Sequence, residues 1–399
     1  MNIPAPHATA ASLPTPIGLA SLARMAFAGV DLNPLGRELI ARANAHPDDA
    51  GALMDLSVLL QLAGDRANGI AVQSQALQLH RVYRQPPAAP AAANGVRLLA
   101  FVVPGDFMAN APLEFLLDGS DVALDKVYVG AGPIHEIPDH DVAIVAIGES
   151  DENRAVLQQL EQLLRNWPRP VLNRPERIAR LSRDNASTLL QSVPGVLMPD
   201  SQRIARAALG RTDLPFPIIA RPVGSHAGKG LSKLDDAAAL HAYLEEHGER
   251  EFYVSPFIDY RGADGLFRKY RIVLTDGRPW ICHMAISEHW MVHYLNAGMY
   301  DSAAKRDEEA RAMARFDDEF ARRHATALRG VCERVGLDYF GLDCAETRDG
   351  KLLIFEADVA MIVHAMDAPD MFPYKQQQMR KVFAGFREML RAACPRLAA

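Results

Sequence analysis

Two short apolar-rich runs near the C-terminus, Tyr339-Phe-Gly-Leu-Asp343-Cys-Ala-Glu346 and Lys351-Leu-Leu-Ile-Phe-Glu356-Ala-Asp358, are joined through Arg348-Asp349-Gly350. An Asp-Gly pair between such runs is the strongest short-range signal for a β-hairpin, because both central residues of the tight turn must reach positive φ. With Asp349-Gly350 as a two-residue loop, Arg348 faces Lys351, and counting back sets Asp343 opposite Glu356. Opposite residues share a face, and Asp358 joins them two positions on. Leu342, Cys344, Leu353, Phe355 and Ala357 then make an apolar reverse side. Like charges set opposite one another destabilise a sheet, so the acidic face predicts a bound cation. Oxygen-only ligands on rigid strands suit Mg²⁺, usually held by a few carboxylates together with nucleotide phosphates. The count depends on register: a three-residue loop would send Asp343 and Glu356 to opposite faces.

At 399 residues the chain is long enough for about two or three domains and a large core. A formal charge of −6 supplies no electrostatic footprint for nucleic acid or an anionic membrane. Cys282, Cys332, Cys344 and Cys394 form no CxxC-like pair, which argues against a zinc site or disulfide framework and fits a reducing compartment. No run approaches the ~18 apolar residues of a membrane span, and the N-terminus lacks a basic segment followed by an apolar core. A cytoplasmic location is the expectation.

Residues 1–33 are rich in Ala and Pro, with one helix expected near Leu19–Ala28. From Leu35 to Tyr83 the pattern turns helical: Pro47-Asp48-Asp49 starts one helix, Ala63-Gly64-Asp65 stops it, and a second carries Ile70, Ala71, Ala76 and Leu77. The pair resembles one tetratricopeptide-like unit. A single unit cannot bury its own face, so it is expected to pack on a neighbouring domain, another subunit or a partner protein. The Pro/Ala-rich stretch Gln85–Ala93 reads as a linker, giving an accessory region over 1–92. Over 93–200, apolar strands at Val96–Val103, Ala123–Val129, Val142–Ile147 and Pro170–Leu172 alternate with helices, the clearest over Asp151–Trp167. This alternation predicts a small parallel α/β sheet; with no GxGxxG fingerprint, a dinucleotide site is weakly supported. From about 201 to 399 hairpins dominate. Strands are expected at Pro217–Val223, Leu231–Leu234, Glu251–Ile258, Lys269–Thr275 and Arg278–Met284, the last two around a second Asp-Gly turn. One long helix follows over Lys305–Val335, with a core stripe at Met313, Phe316, Phe320, Ala327, Val331 and Val335. A last helix near Lys375–Ala393 closes an α/β (α+β) chain.

Gly224-Ser-His-Ala-Gly228-Lys-Gly230 links two of these strands. Glycine-rich loops let successive N–H groups converge on phosphate oxygens, and Ser225, His226 and Lys229 would add donors. The spacing is one residue short of a Walker A loop. Arg221 sits in an otherwise apolar strand, where a buried guanidinium needs an anionic partner. Lys269 and Arg271 share one face of their hairpin, and Arg271, leading into Ile-Val-Leu, is the better anion clamp. His283, His289 and His293 lie in an aromatic- and Met-rich run without HExxH, which favours packing or substrate contact over a metal site.

The loop, the basic strand and the acidic hairpin follow one another as in the ATP-grasp superfamily, and the chain most resembles its RimK and glutathione-synthase-like carboxylate–amine ligases over Val96 to Ala393. Asn173-Arg-Pro-Glu-Arg-Ile and Val193-Pro-Gly-Val-Leu-Met-Pro199 resemble the entry to that domain. The resemblance divides residues 201–399 into a lid and adenine-binding part, 201–260, and a Mg²⁺, phosphate and substrate part, 261–399. It implies adenine binding along Ser255–Ile258, through the Pro256 carbonyl and the Ile258 N–H. Phosphate binding falls to Arg221, Ser225, His226, Gly228, Lys229 and Lys269, and catalytic charge to Arg271 and Arg221. Mg²⁺, or Mn²⁺, falls to Asp343, Glu356 and Asp358. Three departures stand out: Arg221 replaces the usual lysine, Asp358 the usual asparagine, and Ser182-Arg-Asp-Asn185 lacks a lysine for the α-phosphate.

The implied reaction transfers the γ-phosphoryl group of ATP to a small-molecule or peptide carboxylate. An amine, less often a thiol or hydroxyl, then attacks the acyl-phosphate. Such chemistry needs mainly positioning and charge neutralisation. His283, His293 and His364 are candidates for the substrate side. An ATP-binding scaffold or sensor with little turnover, and a small-molecule kinase on the same framework, are the alternatives.

Overall fold

The computed structural model describes residues 13–87, 95–130, 132, 134, 136–210, 215–225 and 228–394. The described N-terminal residues fold into four helices: α1 (Leu19–Phe27), α2 (Asn33–Ala45), α3 (Ala50–Leu62) and α4 (Arg66–Leu79). Asp49 and Asp65 cap α3 and α4 by accepting from the N–H groups of Ala52 and Asn68. The helix pair expected here is present, and it packs within the chain. Ala50, Leu53, Met54, Ala76 and Leu77 share a core with Leu98, Ala100 and Val102 of the first sheet. The chain then enters that sheet directly, through β1 (Val82–Gln85). Gln85, expected to open a linker, is its last residue; residues 88–93 of that linker lie outside the described residues.

The first sheet adds β2 (Arg97–Val102), β3 (Ala123–Tyr128), β4 (Val142–Val145) and β5 (Val171–Leu172), in the order β1-β3-β2-β4-β5. Strands β2 to β5 run parallel, as the strand–helix alternation predicts, and β1 joins antiparallel to β3. After β6 (Val196–Leu197) comes an antiparallel sheet of β7 (Gln202–Ala205), β8 (Ile218–Pro222), β9 (Ser232–Leu234) and β10 (Glu251–Pro256), ordered β7-β10-β8-β9. The third sheet is β12-β11-β13-β14-β6, built from β11 (Phe267–Thr275), β12 (Arg278–Ser287), β13 (Tyr339–Glu346) and β14 (Leu352–Asp358). The architecture is mixed α/β, and no described helix is long and apolar enough to cross a membrane.

The third sheet positions the candidate site. On one face Ile272, Leu274, Phe340, Leu342, Cys344 and Ile354 join the helices after Ala303 and one side of the first sheet in a single core. On the other face both ends are apolar. Val273, Trp280 and Tyr339 lie under the C-terminal helix Pro373–Ala392, and Phe267, Ala345 and Leu353 pack with Tyr260. The polar residues occupy the middle.

Three local expectations are corrected. The segment expected as one helix over Lys305–Val335 is broken into Ala303–Ala314, Phe320–Arg323 and Ala325–Val335. Asp317-Asp318-Glu319 would add carboxylates to the negative end of the first piece, and Asp is a weak helix former. The apolar stripe survives, since Met313, Phe316, Phe320, Ala327, Val331 and Val335 all enter one core. The two Asp-Gly turns also differ. Asp276 and Gly277 both have positive φ (49° and 75°), and Thr275 pairs with Arg278, a two-residue turn. In the acidic hairpin Thr347, not Arg348, faces Lys351: the Thr347 N–H donates to the Lys351 carbonyl at 3.0 Å, and the loop is Arg348-Asp349-Gly350. Asp343 still faces Glu356, because a β-bulge places the extra residue Phe355 between the Cys344↔Ile354 and Asp343↔Glu356 pairs. The longer loop and the bulge each shift the register by one and cancel. Leu352 and Ile354 therefore take the reverse side, while Leu353 and Phe355 pack with Tyr260.

Candidate functional site

Antiparallel pairing lines up one row across four strands: His283 on β12, Arg271 on β11, Asp343 on β13 and Glu356 on β14. A second bulge, with Cys282 as the extra residue, lies beside the Arg271↔His283 pair. Bulges re-aim side chains, and here both flank the row. Asp343 is 5 % exposed and accepts three hydrogen bonds. Its Oδ1 accepts from Arg271 Nε at 2.8 Å, and its Oδ2 accepts from Lys269 Nζ at 2.8 Å and Arg271 Nη2 at 3.0 Å. Burial alone would raise its pKa, but the two cations more than reverse this and hold the carboxyl well below its usual range. Burial likewise works against the Arg271 charge, and Asp343 overrides it. Arg271 Nη1 also donates to the Ile362 carbonyl at 3.2 Å. Three of the five guanidinium N–H groups are thus spent, and two remain for a ligand.

Glu356 and Asp358 differ from Asp343. Glu356 meets Arg183 Nη2 at 2.5 Å, and Asp358 accepts from the Ala360 N–H at 3.1 Å. Burial and the neighbouring Glu356 push the Asp358 carboxyl up to about 6. Burial, with Asp151, Asp358 and Asp184 nearby, takes Glu149 up to about 7 despite Arg154. Asp184 Oδ1 is buried with no hydrogen-bond partner among the described residues. This corner holds more negative charge than its surroundings neutralise. Among the described residues, no three His, Cys, Asp or Glu side chains gather around one point as a metal site of their own would require.

Arg221 on β8 has the opposite deficit. It is 8 % exposed and makes no ion pair among the described residues; its Nε and Nη2 reach only Ser225. Burial, reinforced by Arg183, lowers its pKa to about 10. Ser225 therefore supports Arg221 and Lys229 points to solvent, so neither lines the cavity, and His226 lies outside the described residues. Gly228 does line it, at φ 77°. Gly230, at φ 66°, packs so closely on Pro222 that a Cβ would lie 2.7 Å from its ring.

One cavity of about 770 Å³ is lined by Arg221, Gly228, Pro256, Ile258, Lys269, Arg271, Asp343, Glu356 and Asp358, and by His283, His293 and His364. The Phe257 N–H donates to Pro217 O, which seats the end of β10 along its wall. His283 is neutral, because burial, Arg271 and Lys375 all depress its pKa, and its Nδ1 has no partner among the described residues. Burial also lowers His293 and His364.

Sequence reasoning passed over Arg183, Glu149, Glu309 and Lys375. Lys375 is 1 % exposed and lines the cavity. Its Nζ lies 3.3 Å from Asp367 and 3.5 Å from Glu309, bonds the Tyr294 hydroxyl and sits 3.8 Å from that ring. Glu309 is also fully buried and accepts from Met284 N and from the hydroxyls of Tyr294 and Tyr374. A signal was available: Lys375 falls on the apolar stripe of its helix with Met379, Val382 and Phe386. A charge on a buried stripe needs a partner.

No family model and no curated protein matches the chain. Among solved structures it is similar to a RimK domain ATP-grasp protein from Sphaerobacter thermophilus DSM 20745, at 15 % identity and TM-score 0.41, over 73 % of this chain and 99 % of that one. It is similar to the VanG D-Ala:D-Ser ligase from Enterococcus faecalis at 15 % identity and TM-score 0.44, over 73 % and 99 %. A D-alanine–D-alanine ligase from Bacillus anthracis complexed with ATP is 14 % identical with TM-score 0.43, over 76 % and 98 %.

Proposed function

We propose that this chain is an ATP-dependent ligase that joins a carboxylate to an amine through an acyl-phosphate, releasing ADP and phosphate. The observation that carries the reading is the pair of opposite deficits in one cavity. Among the described residues Arg221 is a buried cation without an anion, and Glu356 with Asp358 is a carboxylate pair met by a single cation, Arg183. A nucleotide phosphate with its divalent ion supplies both.

In this reading the nucleotide base lies along Pro256–Ile258, and Arg221, Arg183 and the backbone at Gly228 hold the phosphates. The donor set fits Mg²⁺ at Glu356 and Asp358, all oxygen and met by one guanidinium, Arg183; Asp343 is already held by Lys269 and Arg271. Bound there, the ion would neutralise charge on the phosphate oxygens. The two uncommitted N–H groups of Arg271 meet the substrate carboxylate and stabilise negative charge as the phosphoryl group arrives. Its rigid ion pair with Asp343 fixes that geometry in advance. Neutral His283, next in the row, offers a hydrogen bond without adding charge.

The test is ADP release in the presence of pooled carboxylates and amines, with and without hydroxylamine. Hydroxamate formation is the expected result. A stable phosphorylated product would assign a kinase instead, and ATP binding without ADP release would assign a sensor.

A further inference from the structure

Helix α1 reaches the cavity, although its sequence marks it only as part of an accessory region. Leu19, Ala23 and Phe27 of α1 line the same space as Arg271, together with Phe115 of the first sheet's connections, which packs with Ala23, and Ile362 and Met366 beyond β14. The helix is anchored rather than draped. The buried Asp55 carboxylate accepts from the N–H groups of Ile17 and Gly18 at 2.8 and 3.0 Å, and Arg24 pairs with Asp118 at 2.9 Å. His364 lies between Phe27 and Phe115, with ring centroids 5.6 and 6.1 Å away, and burial lowers its pKa, so it adds no charge to this wall. Ile362 connects this wall to the chemistry: its carbonyl accepts from Arg271 Nη1, while its side chain packs against the cluster containing Ala23 and Phe115. A group attached next to a carboxylate held by Arg271 therefore meets apolar surface. Phe27 stays 55 % exposed at the rim, which leaves apolar area for a ligand to cover.

We infer that α1 and the residues packed with it wall an acceptor chamber selecting a carboxylic acid with an apolar aliphatic or aromatic side group. This rests on the proposed ligase reading for the position of the carboxylate, and it makes the N-terminal helices a specificity element of the site.

The test is binding rather than turnover. Acetate, butanoate, hexanoate, 3-phenylpropanoate and adipate are titrated calorimetrically onto the full chain with Mg²⁺ and a non-hydrolysable ATP analogue. Affinity is expected to rise about fourfold per methylene, equivalent to ~0.8 kcal/mol, with adipate binding at least about tenfold more weakly than hexanoate. Phe27→Glu, at a half-exposed position that tolerates the change, is expected to flatten this slope while leaving the ATP-analogue affinity unchanged. Leu79→Glu, outside the cavity, keeps the slope. Equal binding of adipate and hexanoate, no binding of any acid, or a slope that survives Phe27→Glu would overturn the chamber. A slope that Phe27→Glu flattens, without hydroxamate formation, would support the chamber and overturn the ligase reading. Hydroxamate formed equally from adipate would do the reverse.

Discussion

Replacing Asp343 by asparagine separates two roles that the acidic hairpin suggests for it. In the structure it is the buried counter-ion of Lys269 and Arg271, whose side chains are 13 % and 21 % exposed. Asparagine keeps the shape but removes the charge, leaving two largely desolvated cations facing a neutral amide. Removing one partner of a buried ion pair costs about 3–5 kcal/mol. The apo protein, in EDTA, should therefore lose that much unfolding free energy in urea, followed by circular dichroism. A second variant, Lys269→Met with Asp343→Asn, should recover part of it by removing one unpaired cation. The pH dependence has a definite sign. The folded carboxyl titrates below its ordinary value of 3.8, so its contribution is fully present above that value and disappears as pH falls through the folded one. The asparagine variant should lose this acid-side dependence. Were Asp343 chiefly a metal ligand crowded by Glu356 and Asp358, removing its charge would leave the apo protein as stable or make it more stable. Apo stability within ~0.5 kcal/mol of the unchanged chain would refute the ion-pair argument.

Other outcomes can be checked independently. Glu356→Gln should lower ADP release by about 10²-fold or more. It should barely move the thermal midpoint, since the Glu356–Arg183 pair is partly exposed and worth about 0–1 kcal/mol. Arg221→Met should weaken ATP binding at least about tenfold by calorimetry, with apo stability unchanged or raised, because the buried guanidinium has no acidic partner among the described residues to lose. Glu149 is raised from 4.5 to about 7, so its contribution is present below 4.5 and lost as pH rises through about 7. Glu149→Gln should accordingly show a smaller drop in thermal midpoint between about pH 5 and pH 8. Gly385→Ala would place a Cβ 2.6 Å from the Trp280 ring and should cost about 1–3 kcal/mol in urea unfolding.

The pairing of Asp343 with Glu356 shows how a correct inference can rest on incomplete grounds. Turn chemistry and period-2 alternation are local properties, and they located the hairpin, the Asp276-Gly277 turn and the strands of the parallel sheet. They did not reveal that Arg348 lengthens one turn or that Phe355 bulges, because the same Asp-Gly signal serves both loop lengths. The glycine loop, Arg221, Arg271 and the acidic strand were legible as residue types demanding counter-charges. Which charge answers which is a matter of long-range contact: Arg271 lies 72 residues from Asp343, and Arg183 lies 173 from Glu356. Only the packing of sheets and helices turned Asp343 from an open carboxylate into one clamped by two cations. Only that packing left Arg221 without an acid among the described residues and carried α1 from the far end of the chain to the cavity that Arg271 lines. Backbone preferences act over a few residues and can be read along the chain; electrostatic neutralisation and cavity shape act through space, and folding alone sets those distances.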